Sequence, residues 1–248
     1  MRIVICVTLV VFSATACDTT KRKEVKLDTL ALDTPDTNPE SQLIAYSLEK
    51  AMQDPENVVE LVLSNRNLNE LSPRIGSLIN LEKLDVSHNQ LVRLPPQIGN
   101  LKKLRILGLE RNRLTALPPQ IGKLSMLRTL GAEGNRLRRL PAQLTRLTNL
   151  RNISLDNNQL ESLPAGIDGL KNLRYLSLEN NRLRKVPRSI GKLRQLQDLN
   201  ISGNRLRRVP KDVCRLRQLV TLDLTGLRGK YRQDAVRMCS RLKTSAFF

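Results

Sequence analysis

The chain has 248 residues, of which 42 are Lys or Arg and 23 are Asp or Glu, so its formal net charge is +19. One histidine and four cysteines spread along this length argue against a zinc site and against a Cys–His catalytic pair, while 2% aromatic residues argue against a surface that stacks on nucleic-acid bases. We therefore expect a protein that is not an enzyme, has no cofactor or metal and binds no nucleic acid, and whose charge favours anionic partners.

The N-terminus has the features of an export signal. Met1 and Arg2 precede an apolar run over residues 3–12, which is too short to span a bilayer and is typical of a signal-peptide core. The small residues 13–16 before Cys17 resemble a bacterial lipobox, although Ala14 stands where Leu is usual. We predict a signal peptide over residues 1–16 and a lipid on Cys17 that anchors an exported protein in the cell envelope. Plain secretion and an uncleaved anchor are the alternatives, and the membrane leaflet is open.

Two segments separate the signal from the rest of the chain. Residues 17–38 are polar and contain few bulky apolar side chains, which predicts a disordered tether. Asn38 and Pro39 are favourable residues for starting a helix, and apolar residues at helical spacing follow. We predict an N-terminal capping helix over residues 39–57 that covers the edge of the following domain. A helix that binds a partner is the alternative.

A 23-residue unit recurs without insertion over residues 58–226, as seven full copies and one partial copy. This fixed period predicts a solenoid, in which each unit buries its apolar face only by stacking on its neighbours. The alternation in Ile153-Ser154-Leu155 predicts a short strand, and strands of successive units would pair in parallel. The units open at Val58, Leu81, Leu104, Leu127, Leu150, Leu173, Leu196 and Leu219.

Besides leucine, Asn and Pro each recur at a fixed position of this unit, and we call the residues at one repeat position in successive copies a column. An Asn column can satisfy buried backbone groups, and a Pro column directs the return path of the chain. With these columns the unit resembles the 23-residue leucine-rich repeat family with its L-P-x-x-I-G-x-L pattern, although Arg66 and Ser72 depart from it in the first copy. The resemblance implies an α/β solenoid: a horseshoe with a parallel concave β-sheet, short convex helical or 3₁₀ segments, and a role in binding other macromolecules. The Asn column is Asn89, Asn112, Asn135, Asn158, Asn181 and Asn204.

Residues 227–248 follow the repeats and are interpreted as a C-terminal cap or tail. Cys239 lies in this tail, and Cys214 lies in the last complete repeat. In an oxidising compartment a disulfide between them would join the cap to the repeats. The alternative is that both are buried thiols that pack as small apolar groups.

Basic residues concentrate towards the C-terminus, because residues 127–248 hold 26 basic and 9 acidic side chains. Many of them share the positions that follow the Asn column in three repeats, and the register places them along one edge of the solenoid. This basic edge predicts contact with an anionic membrane or envelope surface, the alternative being a solvated edge that only maintains solubility. It consists of Arg136, Arg138, Arg139, Arg182, Arg184, Lys185, Arg205, Arg207 and Arg208.

An acidic column is predicted on the concave sheet: Glu110, Glu133, Asp156 and Glu179. Small residues stand beside it at positions 108, 131, 154 and 177, and Asn152 and Tyr175 belong to the same face. We predict that this strip binds a ligand. The alternative is that its carboxylates only form exposed ion pairs with nearby arginines, which contribute little stability.

Three functions fit these observations. The leading hypothesis is a monomeric, exported and lipid-anchored repeat domain that binds a protein ligand on its concave face. The second is a structural envelope protein that contacts anionic lipid or wall polymer through the basic edge. The third is an intracellular signalling scaffold, resembling the Ras-group members of the family, which applies if residues 1–16 are not a signal.

Overall fold

The computed structural model describes residues 43–226, which form one sheet of parallel strands in chain order. A strand begins two residues after the opening of each complete repeat from the second onwards, so successive strands lie one repeat apart. The strands are β1 Leu43–Ala45, β2 Val58–Val62, β3 Lys83–Asp85, β4 Ile106–Gly108, β5 Thr129–Gly131, β6 Asn152–Ser154, β7 Tyr175–Ser177, β8 Asp198–Asn200 and β9 Thr221–Asp223.

Strand pairing follows the repeat without a slip from β2 to β9. Leu84 pairs with Leu61 on one side and Leu107 on the other, and every later pair keeps the same offset of 23 residues. A shift of one residue would turn each leucine from the core to the opposite face, so burial of the leucines holds this register. Equivalent sequence positions therefore lie side by side, and each predicted column is a row of neighbouring residues in the structure.

Short 3₁₀ helices occupy the crossovers, as predicted for the convex side. Prolines such as Pro95 and Pro118 directly precede them with φ near −68° and extended ψ, which turns the chain away from the strand. The 3₁₀ helices span Pro73–Ser77, Pro96–Asn100, Pro119–Lys123, Ala142–Arg146, Ile167–Gly169, Arg188–Lys192 and Lys211–Arg215.

The core consists of aliphatic columns linked by buried asparagines. Leu107, Leu130 and Ile121 are at most 1% exposed, like most of their equivalents. The Asn135 amide donates to the carbonyl oxygens of Leu109 at 2.9 Å and Ala132 at 3.1 Å, and its oxygen accepts from the Leu114 N–H at 3.0 Å. Each such side chain satisfies backbone groups in its own repeat and in the preceding one. The predicted role of the Asn column is confirmed.

The residue before each position of the Asn column has a left-handed backbone conformation, with positive φ. The sequence analysis did not identify this feature. Arg111 has φ of 50° and Gly134 has φ of 65°, and the equivalent residues in the other repeats are Asn, His or Gly with positive φ. Glycine and asparagine tolerate this region, which explains their recurrence there. The Arg111 N–H donates to the Glu133 carbonyl at 2.8 Å. This contact ties the loops that follow neighbouring strands together.

The prediction of a continuous capping helix over residues 39–57 is wrong within its described part. Residues 43–45 form strand β1, which pairs with β2, and the helix α1 is limited to Leu48–Ala51. The side chain of Ser47 caps α1 by accepting from the Lys50 N–H at 3.2 Å. The open edge of β2 offers unpaired backbone groups, and pairing with them outweighs the local helical pattern. The first repeat is thus covered by a strand and one helical turn.

The remaining predicted segments lie outside the described residues: the signal peptide, Cys17, the tether, the C-terminal tail and Cys239. Cys214 is disulfide-bonded. The pairing with Cys239 stays a prediction. Within residues 43–226 no helix has the length and apolar character needed to cross a membrane.

Replacing Asn135 with Ala should destabilise the protein by about 2 kcal/mol, because it leaves the buried Leu114 N–H unpaired and removes one of the two amide donors from each of the Leu109 and Ala132 carbonyls. Urea unfolding followed by circular dichroism measures the loss. Asn149→Ala is the control, since the Asn149 amide makes one exposed bond to the Ser125 carbonyl at 2.9 Å. Equal losses for the two variants would contradict a structural role for the buried amides.

Candidate functional site

The four residues of the acidic column lie two positions beyond the ends of β4, β5, β6 and β7. Their backbone is held by the left-handed residues of the preceding repeats: the carbonyls of Glu133, Asp156 and Glu179 accept from Arg111, Gly134 and Asn157 at 2.8–2.9 Å. Glu110 and Asp156 are buried, while Glu133 and Glu179 are partly exposed. The structure thus brings the four predicted carboxylates together in one row along the sheet.

The Glu110 carboxylate lies over the glycines of β4 and β5. A Cβ added at Gly131 would collide with Glu110 Oε1, and one added at Gly108 would lie 3.1 Å from Glu110 Oε2 and 3.3 Å from Asp85 Oδ1. The missing side chains therefore create the space that the carboxylate fills. Burial raises the pKa of Glu110 from 4.5 to about 7, and the nearby Asp85 and Glu133 add to this shift.

Asp156 occupies the equivalent position two repeats later but has hydrogen-bond donors. The Ser177 hydroxyl donates to Asp156 Oδ1 at 2.5 Å, and the Glu179 N–H donates to the same oxygen at 2.8 Å. Burial raises the pKa of Asp156 from 3.8 to about 6 despite these two bonds. Glu110 and Asp156 therefore both change their charge near neutral pH.

The two partly exposed carboxylates, Glu133 and Glu179, accept from neutral groups. Ser154 donates to Glu133 Oε2 at 3.4 Å, and the amides of Asn180 and Asn200 donate to Glu179 at 3.3 and 3.2 Å. The ion pairs among residues 43–226 are Lys83–Glu60, Arg105–Glu82, Lys192–Asp168 and Arg215–Asp212. Within that part of the chain no arginine or lysine forms an ion pair with the acidic column.

Asn152 and Tyr175 pair with each other across β6 and β7, as partly exposed neighbours on the sheet face. The Asn152 amide donates to Thr129 Oγ1 at 3.4 Å, whereas its buried Oδ1 has no hydrogen-bond partner among the described residues. A buried acceptor without a partner is uncommon and costs free energy.

All nine side chains of the basic edge are exposed. None of them takes part in the ion pairs found among residues 43–226. Gln159, Glu161 and Ser162 interrupt the edge in the fifth repeat, as the sequence indicates. The basic edge lies beyond the acidic column along the chain, so the two form separate surfaces.

Sequence reasoning missed a second basic column. Four consecutive repeats carry arginine at their second position, immediately before β4 to β7, and we call this set the arginine column. The detectable signal was the repetition of one residue type at one repeat position in the same copies that carry the acidic column. Its members are Arg105, Arg128, Arg151 and Arg174.

Comparisons with known proteins identify the fold family. A family model described as "Leucine-rich repeat region" matches residues 97–173 and 165–230, and a second one described as "Leucine rich repeat" matches residues 56–114. The chain belongs to the leucine-rich repeat family. Among curated protein sequences, none matches this chain significantly.

Solved structures of leucine-rich repeat proteins resemble the chain. A leucine-rich repeat protein of Leptospira interrogans is 35% identical, with a TM-score of 0.64, over 75% of this chain and 53% of the other. The ectodomain of the Arabidopsis thaliana receptor kinase GASSHO1/SCHENGEN3, in complex with CASPARIAN STRIP INTEGRITY FACTOR 2, is 29% identical, with a TM-score of 0.66, over 74% of this chain and 23% of the other. Toll in the Drosophila Toll–Spatzle complex is 27% identical, with a TM-score of 0.66, over 75% of this chain and 26% of the other. This chain thus spans about half of the Leptospira protein and a quarter of the two receptors.

The acidic column is an arrangement of hydrogen-bond acceptors along the sheet. Within residues 43–226 no group of His, Cys, Asp and Glu is arranged to hold a metal ion. The carboxylates form an open row along a sheet and accept hydrogen bonds from hydroxyls and amides. Such a row can bind donors of a ligand along its length.

The stability of this leucine-rich repeat domain should fall as pH rises from about 4.5 to 7. Folding raises the pKa of Glu110, so the folded state keeps a proton that the unfolded state releases, and about 2–3 kcal/mol is lost above pH 7. Asp156 acts in the same direction. Glu110→Gln should remove the part of this slope above about pH 6, where Asp156 contributes little, and should stabilise the protein at pH 8, as measured by urea unfolding at a series of pH values.

The exposed Glu161 provides the matched control for this experiment. Glu161→Gln should leave the pH dependence of the wild-type protein unchanged. An unchanged slope above pH 6 in Glu110→Gln, or a wild-type stability that rises between pH 6 and 8, would contradict the raised pKa of Glu110.

Proposed function

We propose that the repeats bind a protein ligand on the concave face of the sheet, through Glu110, Glu133, Asp156 and Glu179 together with Asn152 and Tyr175. The domain acts as a rigid, preformed surface, which lowers the ordering cost of association. The partner supplies hydrogen-bond donors or basic groups to the carboxylates.

One observation carries this proposal: an acidic row on the sheet face has no cationic partner among the described residues. Its carboxylates accept from Ser177, Ser154 and Asn200, while the charges themselves are not neutralised. Glu133 and Glu179 are partly exposed and have no ion-pair partner among the described residues, so a basic ligand can form charge-assisted hydrogen bonds with them.

The similar structures support a protein as the ligand. The GASSHO1/SCHENGEN3 ectodomain and Toll were both solved with a bound protein or peptide factor. A third similar structure, of PEPR1 with AtPEP1, is 33% identical over 64% of this chain. These complexes favour a protein partner for this leucine-rich repeat domain over a small molecule.

We further propose that the protein is exported and anchored in a bacterial envelope by a lipid on Cys17. The support is the charged start, the apolar run over residues 3–12 and the small residues before Cys17. The likeness to a bacterial leucine-rich repeat protein agrees with it. The tether over residues 17–38 would then hold the repeats away from the membrane.

A second candidate function uses the basic edge. Its nine side chains are exposed and take part in none of the ion pairs found among residues 43–226. Charges on adjacent repeats lie within a Debye length and act as one field. The edge would hold the domain against anionic lipid or wall polymer in the envelope.

A photo-crosslinking residue in place of Tyr175 should capture a protein partner in intact cells, whereas the same residue in place of the exposed Arg188 on a 3₁₀ helix should not. Glu133→Gln with Glu179→Gln should lower the yield at position 175 about tenfold, because two charge-assisted contacts are lost. Mass spectrometry of the adducts gives the readout.

Glu70→Gln with Glu161→Gln is the control, since it removes two exposed carboxylates from outside the acidic column. Equal yields for the two double variants, or equal capture from position 188, would refute the concave-face proposal. If charge reversal at Arg138, Arg184 and Arg207 abolishes envelope association instead, the basic edge is the functional surface.

Mass spectrometry of the mature N-terminus tests the proposed export. We expect the mature chain to begin at Cys17, with the mass of a lipid on its N-terminal peptide. Cys17→Ser should abolish that modification and release the protein from membranes. An intact Met1 would contradict export, and an unmodified mature terminus would contradict lipid anchoring.

A further inference from the structure

The arginine column is continuous along four repeats. The N–H groups of Arg128, Arg151 and Arg174 donate to the carbonyls of Arg105, Arg128 and Arg151, each at 2.8 Å. The backbones of the four residues are therefore directly bonded to one another in sequence. Strands in a sheet lie about 4.8 Å apart, so the guanidinium groups form a compact row beside the starts of β4 to β7.

This row is poorly neutralised. Among residues 43–226 the only ion pair to the column joins Arg105 Nε to Glu82 at 3.3 Å. Burial lowers the pKa of Arg128, and the positive charges of Arg105 and Arg151 lower it further. Like charges on neighbouring strands repel each other, so the column opposes folding.

The fold does not need arginine at this position. The equivalent residues in other repeats are Val59, Glu82, Gln197 and Val220. Gln197 and Val220 keep the same backbone bonding, with the Val220 N–H donating to the Gln197 carbonyl at 2.7 Å. Repulsion that the fold neither requires nor uses is expected at functional positions.

We propose that the arginine column binds the acidic face of an α-helix in the protein partner. The inference deepens the proposed function and rests on it: the helix lies across the strands, and its carboxylates neutralise the arginines while other parts of the partner contact the acidic column. The arginine column thus defines the charge and the secondary structure of the segment that docks there.

The spacing favours a helix over an extended segment. Three intervals between four strands cover about 14 Å. Residues that alternate three and four apart on a helix advance about 5.4 Å per turn, or about 16 Å over three turns. Alternate residues of an extended strand would cover about 20 Å. The row of arginines is thus about 2 Å shorter than the matching row on a helix and about 6 Å shorter than that on a strand. Flexible arginine side chains can compensate for the smaller mismatch more readily.

Two synthetic helical peptides test this on the full-length protein. One carries four glutamates on one face, spaced alternately three and four residues apart, and the other has the same composition with its glutamates spread around the helix. By isothermal titration calorimetry, we expect the one-face peptide to bind about tenfold more tightly, because it engages adjacent arginines together. Arg128→Gln with Arg151→Gln should abolish this preference.

Arg138→Gln with Arg184→Gln removes the same charge from the basic edge and should keep the preference. The column variant should also unfold at the same or a higher urea concentration than the wild type, because repulsion is relieved. Equal binding of the two peptides, or a destabilised column variant, would overturn the inference. Binding of long-chain polyphosphate through the column without any peptide binding would overturn it too, by showing a preference for linear polyanions.

Crosslinking at position 175 separates this inference from the proposed function. We expect Arg128→Gln with Arg151→Gln to lower capture of the natural partner there. Suppose that Arg128→Gln with Arg151→Gln captures the partner fully, while Glu133→Gln with Glu179→Gln captures less of it. The concave face would then still be the binding surface, but the arginine column would not be part of it.

Discussion

Buried amide side chains bond each turn of this chain to its neighbour, and the remaining structure depends on those bonds. After every strand the backbone turns away from the sheet and would leave carbonyl and N–H groups unpaired in the core. Asn112 satisfies them with donations to the Val86 and Leu109 carbonyls and by accepting from the Leu91 N–H at 3.0 Å. Because unpaired buried groups are costly, this arrangement holds each repeat at one position relative to the last.

A fixed register converts sequence columns into surfaces with distinct chemistry. The acidic column lies just beyond the strand ends, the arginine column just before the strand starts, and the basic edge farther along each crossover. Glycine in β4 and β5 allows the Glu110 carboxylate to lie over the sheet, where burial raises its pKa. The same four repeats thus carry arginines at the starts of their strands and carboxyl groups beyond the ends. This arrangement gives a partner one preferred orientation on the domain.

Sequence reasoning reached the fold because the 23-residue period is uninterrupted and each column has a clear physical role. It failed at Leu43 and Ile44, where pairing with β2 overrides a helical pattern, because an available sheet edge is not a local property. It placed Glu110 on the correct face but did not predict its burial, which depends on a glycine one repeat away. The recurrence of arginine before β4 to β7 was visible in the sequence, but the lack of ion pairs for Arg128, Arg151 and Arg174 within residues 43–226 becomes visible only when distances between side chains are known.

Distances between equivalent exposed positions test the central claim, that one register runs through all the repeats. Spin labels can be attached through an introduced keto amino acid, which leaves the native cysteines unchanged, at position 93 and in turn at positions 139, 185 and 208. These sites are exposed and share one repeat position. The account predicts distances that increase by about 5 Å for each intervening repeat. Distances that do not increase in proportion to the number of repeats would contradict it.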